Sequence, residues 1–157
     1  MTLIQADSLC AVRGQGHWRA HATCIAHGDH GLLILGKSGA GKSTLAAEMI
    51  ALGCALVCDD AVEIKLNSGG NLICMPPENA PEQLEMRGFG LLPIPLKRSA
   101  KLTCCIVLGE NAAPRFPPEE AVIFDECEVP IYRASYDTGL AAKAVLLLRH
   151  GGRTLRG

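Results

Sequence analysis

One glycine-rich stretch constrains this chain more than any other, and it reads Gly36-Lys37-Ser38-Gly39-Ala40-Gly41-Lys42-Ser43. It matches G-x-x-x-x-G-K-[ST], the phosphate-binding loop. The apolar run at 32–35 before it predicts a buried strand. Residues 44–52 after it carry apolar side chains at i, i+4 and i+7, which predicts a helix. Strand, glycine loop and helix in this order predict an α/β fold with a nucleotide site.

The chemistry of this loop depends on each of its parts. Glycines let backbone N–H groups curve around phosphate oxygens, and the helix N-terminus adds partial positive charge. Lys42 is expected to bridge the β- and γ-phosphates, and the Ser43 hydroxyl to hold Mg²⁺. We expect the lysine to face solvent before nucleotide arrives. The predicted nucleotide site comprises Gly36, Lys37, Ser38, Gly39, Ala40, Gly41, Lys42, Ser43 and Thr44.

Length and charge restrict the classes of protein that fit. A chain of 157 residues, 48% hydrophobic and 20% charged, is long enough for one domain with a substantial core. The net charge of −1 gives no electrostatic reason to expect nucleic acid or an anionic membrane as partner. No apolar run is long enough to span a membrane, and the first seven residues lack the features of a signal peptide. We expect a cytoplasmic protein with its core at about 20–148 and a loose basic tail at 149–157.

Cysteine is abundant, with eight residues and no Cys-x-x-Cys pair. Most lie inside apolar runs, which favours buried small side chains in a reducing compartment. Cys54 and Cys58 have the spacing of metal ligands but no histidine nearby in sequence, so buried thiols are expected over a zinc site.

The order of apolar runs and turns predicts a mixed sheet. A strand at 21–26 and a turn at 27–31 precede the strand that leads into the loop, which makes those two strands antiparallel. Residues 13–16 are expected to form a loop and 109–120 an irregular segment. Further strands are predicted at 55–58, 62–66, 72–75, 102–108 and 129–134, a peripheral strand within 1–12, and a last helix at 140–148.

Two adjacent carboxylates end the strand that follows the loop helix. Asp59 and Asp60 stand where a P-loop enzyme has its Walker B carboxylate. One can position the metal ion while the other accepts a proton from an incoming hydroxyl. Glu85 could complete the metal shell, and Arg87 could stabilise transferring phosphoryl charge. These last two residues, and His21 at the start of a strand, are weaker candidates on sequence alone.

Taken together, these motifs resemble a known family. The order is His21, the glycine loop, Leu56-Val57-Cys58-Asp59-Asp60 and Glu85-Met86-Arg87-Gly88-Phe89-Gly90. It is similar to the catalytic, C-terminal domain of HPr kinase/phosphorylase, a bacterial enzyme that phosphorylates a serine of the phosphocarrier protein HPr. In particular it resembles the short alphaproteobacterial form without an N-terminal domain.

The resemblance implies a P-loop in a mixed sheet akin to phosphoenolpyruvate carboxykinase, a hexameric assembly, and control of the phosphotransferase system and carbon metabolism. It implies ATP and Mg²⁺ as cofactors and HPr as partner. It assigns catalytic roles to His21, Lys42, Asp59, Asp60 and Arg87, and metal binding to Ser43 and Glu85. One of the two aspartates is the family's proton acceptor, and we favour Asp60.

Three departures from the family accompany this resemblance. Thr44 stands where an acidic residue is usual, and Lys37 where aspartate or proline is common. The arginine-rich loop expected near the C-terminus has no recognisable counterpart, since Arg133 is the one basic residue at 131–139. We therefore expect a kinase with weak phosphorylase activity.

Two other functions stay open at this point. A P-loop kinase for a small metabolite would use the paired aspartates equally well, and a closed substrate pocket would distinguish it from a kinase with an open protein-docking face. A regulatory module that binds nucleotide without turnover is the second. The intact lysine, serine and carboxylates argue against it.

Overall fold

The computed structural model describes residues 1–109 and 114–155, and strands predominate in it. In chain order the strands are β1 (Thr2–Gln5), β2 (Ala11–Gly14), β3 (His17–Ala20), β4 (Thr23–His27), β5 (His30–Gly36), β6 (Ala55–Cys58), β7 (Val62–Leu66), β8 (Leu72–Met75), β9 (Gln83–Met86), β10 (Gly90–Pro93), β11 (Ala100–Leu108), β12 (Glu120–Phe124) and β13 (Cys127–Ala134). The helices are α1 (Lys42–Ala51) and α2 (Leu140–Arg149), and Ala6–Ser8 form a 3-10 turn.

The main sheet is mixed, as predicted, and its branch point is the long strand β11. On one side β11 runs parallel to β5, which is antiparallel to β4, and β4 in turn pairs with β6. It also runs parallel to β13, which continues through β12 to β1. The first residues of β11 pair with β8, which leads to β7, β3 and β2. The strands β9 and β10 form a separate hairpin.

Side chains alternate between the two faces of the sheet, and each face has its own core. On β4, Ile25 belongs to the core that packs against both helices, whereas its neighbours Cys24 and Ala26 belong to the core on the other face. The period of two along a strand requires this division. Leu45 and Met49 of α1 are completely buried in the helical core, which confirms two of the three apolar positions read from the sequence. The third, Leu52, lies beyond the last residue of the helix and is 49% exposed, so the prediction is wrong there.

The end of α1 follows from a glycine. Gly53 has a φ of 101°, and the next residue, Cys54, donates its backbone N–H to the Met49 carbonyl. Glycine adopts this left-handed conformation without strain, so the helix stops here as the sequence predicts. The chain then turns into β6, whose end delivers the paired aspartates.

The cysteines are free thiols, and most are buried. Seven are buried, and Cys127 is half-buried. Burial raises the pKa of Cys10 and of Cys104 to about 12. These side chains therefore behave as small apolar residues, as expected. Among the described residues no group of three or more histidine, cysteine, aspartate or glutamate side chains is arranged to hold a metal ion.

Several boundaries differ from the sequence-based predictions. The segment expected to be a loop at 13–16 lies partly in β2, and β3, β12 and the β9–β10 hairpin were not predicted. Ala6, Cys10 and Trp18 are buried in the core, which therefore begins before residue 20. Residues 110–113, in the segment predicted to be irregular, lie outside the described residues.

The C-terminal segment is held further along than predicted. Gly152 is buried, and the Tyr132 hydroxyl donates to its carbonyl over 3.0 Å. A loose tail from residue 149 is therefore wrong for 149–152, while residues 153–155 are exposed. None of the helices in the described part of the chain is long and apolar enough to cross a membrane.

Candidate active site

A cavity of about 550 Å³ lies where the glycine loop, the end of β6 and the β9–β10 hairpin meet. The residues that line it include almost every predicted site residue. Its walls are His21, Thr23, Ser38, Gly39, Gly41, Lys42, Ser43, Thr44, Ala47, Asp59, Asp60, Pro81, Gln83, Glu85, Met86, Arg87, Phe89 and Leu91. The structure thus brings together four segments that are up to 70 residues apart.

The glycine loop wraps around the N-terminus of α1, as the motif predicts. Gly41 has a φ of 106°, a conformation that other residues rarely adopt. The loop residues Gly36, Lys37 and Ala40 do not line the cavity. The Gly36 carbonyl oxygen nevertheless accepts a hydrogen bond from Lys42, which does line it. Backbone N–H groups at the start of α1 have no helical partners, so this end of the cavity can bind an anion.

Lys42 differs from the expectation of a solvent-facing side chain. It is half-buried, and its ammonium donates to the carbonyl oxygen of Gly36 over 2.7 Å and to that of Lys37 over 3.2 Å. Both acceptors are backbone carbonyls of the loop itself. A phosphate would have to replace them as the acceptor.

The two aspartates occupy different environments. Asp59 is half-buried, and its carboxylate accepts a hydrogen bond of 2.7 Å from the Thr23 hydroxyl. The Ser43 hydroxyl lies 3.4 and 3.5 Å from the two oxygens of the same carboxylate. Asp60, by contrast, is exposed and has a φ of 77°, so the chain turns at this residue. One carboxylate is therefore fixed beside the loop serine, and the other is free in the cavity.

The β9–β10 hairpin forms another wall of the cavity. Leu84 of β9 is completely buried against the helical core, and its neighbour Glu85 is exposed on the cavity side. The strand's alternation therefore points the carboxylate away from the core. Arg87 and Phe89 lie in the turn, and the Phe89 side chain is 88% exposed.

His21 lines the cavity but does not open a strand. It is exposed in the short bend between β3 and β4, because β4 begins at Thr23. The prediction of a strand from residue 21 is wrong by two residues.

The sequence alone did not single out Thr23. This threonine is 1% exposed, and its hydroxyl holds Asp59 by the hydrogen bond described above. The bond exists because β4 pairs with β6, with Cys24 opposite Cys58. No local sequence signal marks this threonine, since its partner lies 36 residues away.

The cations of the C-terminal segment are not in the cavity. Arg133 donates from Nε and Nη2 to the Glu120 carboxylate over 3.0 and 3.1 Å. Lys143 is exposed on α2 and is not among the lining residues. The described cations of the cavity wall are therefore Lys42 and Arg87.

Comparison with known proteins identifies the family. The family model of the HPr Serine kinase C-terminal domain matches residues 16–97, more than half of the chain. The chain belongs to this family. The match covers the glycine loop, the paired aspartates and the β9–β10 hairpin, and it stops before β11.

Curated relatives carry the same name over part of their length. The chain is 50% identical over 64 residues to the HPr kinase/phosphorylase of Brevibacillus brevis, covering 41% of this chain and 21% of the relative. It is 38% identical over 94 residues to that of Clostridium botulinum, covering 60% and 29%. The chain thus spans between a fifth and three tenths of the length of these relatives.

A solved structure supports the fold. The Hpr(Ser) kinase/phosphatase of Coxiella burnetii superposes with a TM-score of 0.71, covering 84% of this chain and 94% of that chain. Sequence identity is 24%, so this likeness is one of fold. The mixed sheet with a P-loop at its centre is therefore the fold that the resemblance implied.

Proposed function

We propose that this protein is an ATP- and Mg²⁺-dependent kinase that phosphorylates a serine of an HPr-type phosphocarrier protein. The observation that carries the proposal is the composition of the cavity. A phosphate loop, a fixed carboxylate, a free carboxylate and an arginine converge on one space of about 550 Å³. Phosphoryl transfer needs these groups, because it is mostly positioning and charge stabilisation.

Lys42 and Arg87 both line the cavity, and they are the candidates for charge stabilisation. The lysine lies on the loop side and would exchange its bonds to Gly36 and Lys37 for the β- and γ-phosphates. Arg87 lies in the hairpin turn, where a guanidinium can contact the group in transfer. His21 lies on the same cavity and would assist in orienting the acceptor hydroxyl.

The donor set fits a magnesium ion held together with the nucleotide. The Ser43 hydroxyl and the Asp59 carboxylate lie side by side, and Glu85 contributes a third oxygen ligand from the hairpin. Mg²⁺ prefers oxygen ligands and in nucleotide sites takes few of them from the protein. When bound, Mg²⁺ neutralises charge on the phosphate oxygens. Thr23 keeps the carboxylate of Asp59 turned toward this position.

Asp60 is the better candidate for the proton acceptor. The Asp59 carboxylate already accepts a hydrogen bond from Thr23 and adjoins Ser43. Its oxygen atoms are therefore better placed to bind the metal ion than to accept a proton. Asp60 is exposed on the same cavity, and its carboxylate has no hydrogen bond or ion pair with the residues that the structure describes. A free carboxylate next to the incoming hydroxyl can take its proton during attack on the γ-phosphoryl group.

The shape of the cavity rim favours a protein substrate over a small metabolite. Phe89 is 88% exposed and Leu91 61% exposed on the hairpin that forms the rim. Exposed apolar side chains beside a polar cavity are typical of a surface that binds another protein. A kinase for a small hydroxyl would be expected to bury such residues around its substrate.

The test is transfer of labelled phosphate. The protein is incubated with γ-labelled ATP, Mg²⁺ and HPr, and the modified residue is located by mass spectrometry. The matched control is HPr with its acceptor serine replaced by alanine. We expect label on the serine of intact HPr and none on the control. ATP consumption without labelled HPr would contradict the protein substrate, and no consumption with any acceptor would contradict a kinase.

Assembly is a further part of the proposal. The resemblance implies a hexamer, and sedimentation equilibrium of the purified chain would measure it directly.

A further inference from the structure

The segment at 131–139, where the family's arginines are not recognisable, brings an aromatic ring onto the glycine loop. Tyr136 follows the end of β13 by two residues. A Cβ added to Gly41 would lie 3.3 Å from both Cβ and Cγ of Tyr136, so the ring adjoins the glycine backbone. The Tyr136 hydroxyl donates to the Glu48 carboxylate, two turns further along α1. The ring therefore lies along the first two turns of the helix.

This ring lies beside the cavity and not within it. The ring adjoins Gly41, which lines the cavity as do Ser43, Thr44 and Ala47, and its hydroxyl contacts Glu48, which is not a lining residue; Tyr136 itself is not among the lining residues either. With 100° between successive residues of a helix, Thr44 stands between Ala47 and Glu48 on the helix surface. Thr44 is exposed. A ligand that leaves the cavity across Thr44 therefore reaches the ring of Tyr136.

The direction in which a nucleotide must lie follows from the two ends of the loop. Lys42 and Ser43 serve the β- and γ-phosphates and the metal, and these groups are near Asp59 inside the cavity. The α-phosphate comes next at the helix N-terminus, and the nucleoside extends from there. On that side of α1 the structure has an aromatic side chain that is 37% exposed.

We propose that the ring of Tyr136 is the platform on which the nucleobase of the bound nucleotide stacks. This inference rests on the proposed nucleotide site and adds the residue that distinguishes a nucleotide from a bare polyphosphate. Aromatic rings bind any base through its flat face, so the platform gives affinity with little selection among bases. The bond to Glu48 holds the hydroxyl end of the ring beside α1.

Glycine at position 41 leaves room for the ring of Tyr136. Any Cβ there would contact the ring at 3.3 Å, closer than most such contacts, and the φ of 106° is itself unfavourable for other residues. Glycine thus allows the ring to lie close to the loop backbone.

The experiment compares a ligand with a base and one without. Affinities of ATP and of inorganic tripolyphosphate, both with Mg²⁺, are measured by calorimetry for the wild type, Tyr136→Ala and Tyr136→Phe. Loss of a stacked base raises Kd by about 5- to 150-fold. We expect this rise for ATP with Tyr136→Ala, and a Kd for tripolyphosphate within about 2-fold of the wild type. Tyr136→Phe keeps the ring and should bind ATP within about 3-fold, the loss of one exposed hydrogen bond.

Two outcomes would overturn the proposal without affecting the kinase assignment. The first is unchanged ATP affinity in Tyr136→Ala, and the second is an equal loss of ATP and tripolyphosphate, which would make Tyr136 a support of the loop. A wild type that binds neither ligand would refute the nucleotide site as well. Tyr132→Phe is the matched control, since it removes the other tyrosine hydroxyl, whose acceptor is Gly152. A spectroscopic readout is quenching of 1,N6-etheno-ATP fluorescence, which should persist in Tyr136→Phe and vanish in Tyr136→Ala.

Discussion

The two adjacent aspartates should have separable effects when each is changed to asparagine. Asp60 is exposed and lies in the left-handed region at a φ of 77°, which asparagine also tolerates. Asp60→Asn should therefore change the free energy of unfolding by less than about 0.5 kcal/mol. Loss of a general base should lower turnover by about 10²–10⁴, which corresponds to about 3–5 kcal/mol of transition-state stabilisation. ATP affinity should be unchanged.

Asp59→Asn should act on stability and on metal affinity. Its carboxylate accepts the hydroxyl of Thr23, a residue that is 1% exposed. A hydrogen bond to a charged acceptor contributes about 1.5–3 kcal/mol, and the amide retains part of it. We expect a measurable fall in the free energy of unfolding. The Mg²⁺ concentration for half-maximal rate should rise, with most of the turnover recovered at saturating Mg²⁺.

The assay is the initial rate of HPr phosphorylation over a Mg²⁺ titration, with urea denaturation of each variant beside it. Thr23→Val is the matched control, because it removes the hydroxyl from Asp59 and leaves both carboxylates in place. It should reproduce a milder form of the Asp59→Asn behaviour. If Asp59→Asn loses turnover at saturating Mg²⁺ and Asp60→Asn does not, the roles are reversed. If neither variant loses turnover, the base is another residue.

Three further outcomes are expected. Lys42→Ala should abolish transfer, and unfolding should change by only about 1–2 kcal/mol because the lysine's partners are two loop carbonyls; normal transfer by this variant in the HPr assay would refute the site. Burial raises the pKa of Cys10 and of Cys104 from 9.0 to about 12 in the folded state. Between these two pH values the thiols ionise in the unfolded chain but stay protonated in the folded protein. The free energy of unfolding should therefore fall as pH rises from 9 to about 12, by about 1.4 kcal/mol per pH unit for each thiol. Urea titrations at pH 8 and pH 10 would show the fall, and a Cys10→Ala/Cys104→Ala double variant should lose less over that interval. Phosphorolysis of phosphorylated HPr, measured as pyrophosphate release at millimolar phosphate, should be much slower than the forward reaction. Comparable rates would show that Lys42 and Arg87, the described cations of the cavity wall, are sufficient to bind the attacking phosphate.

The parts of the site that the sequence could predict are those encoded locally. The loop from Gly36 to Ser43 is a contiguous signal, because its glycines and its lysine act within one turn of backbone. Asp59 and Asp60 were predicted for a similar reason, since they follow directly on a short buried strand. The antiparallel pairing of β4 and β5 was also within reach, because the turn between them is short and rich in glycine.

The parts that escaped prediction depend on pairings between distant segments. Thr23 acquires its role only when β4 lies beside β6, and no pattern around residue 23 indicates that. The β9–β10 hairpin was missed because its apolar residues Phe89 and Leu91 are exposed. The sequence around them therefore lacks the regular alternation of apolar core residues and polar surface residues that marks a strand. The strands β3 and β12 were also missed, although each pairs with its neighbour in sequence, β2 or β13, as well as with a distant strand, β7 or β1.

The segment at 131–139 lacks the family's arginines, but it still places a side chain beside the glycine loop. Its one arginine is engaged with Glu120 and lies outside the cavity wall, so the segment contributes no cation there. Yet Tyr136, two residues beyond β13, lies against Gly41 of the loop. The same stretch of backbone therefore adjoins the nucleotide loop with an aromatic ring and without positive charge. An aromatic ring without positive charge weakens the case for binding an additional phosphate and strengthens the case for binding a base, and the kinase activity proposed above would need the second more than the first.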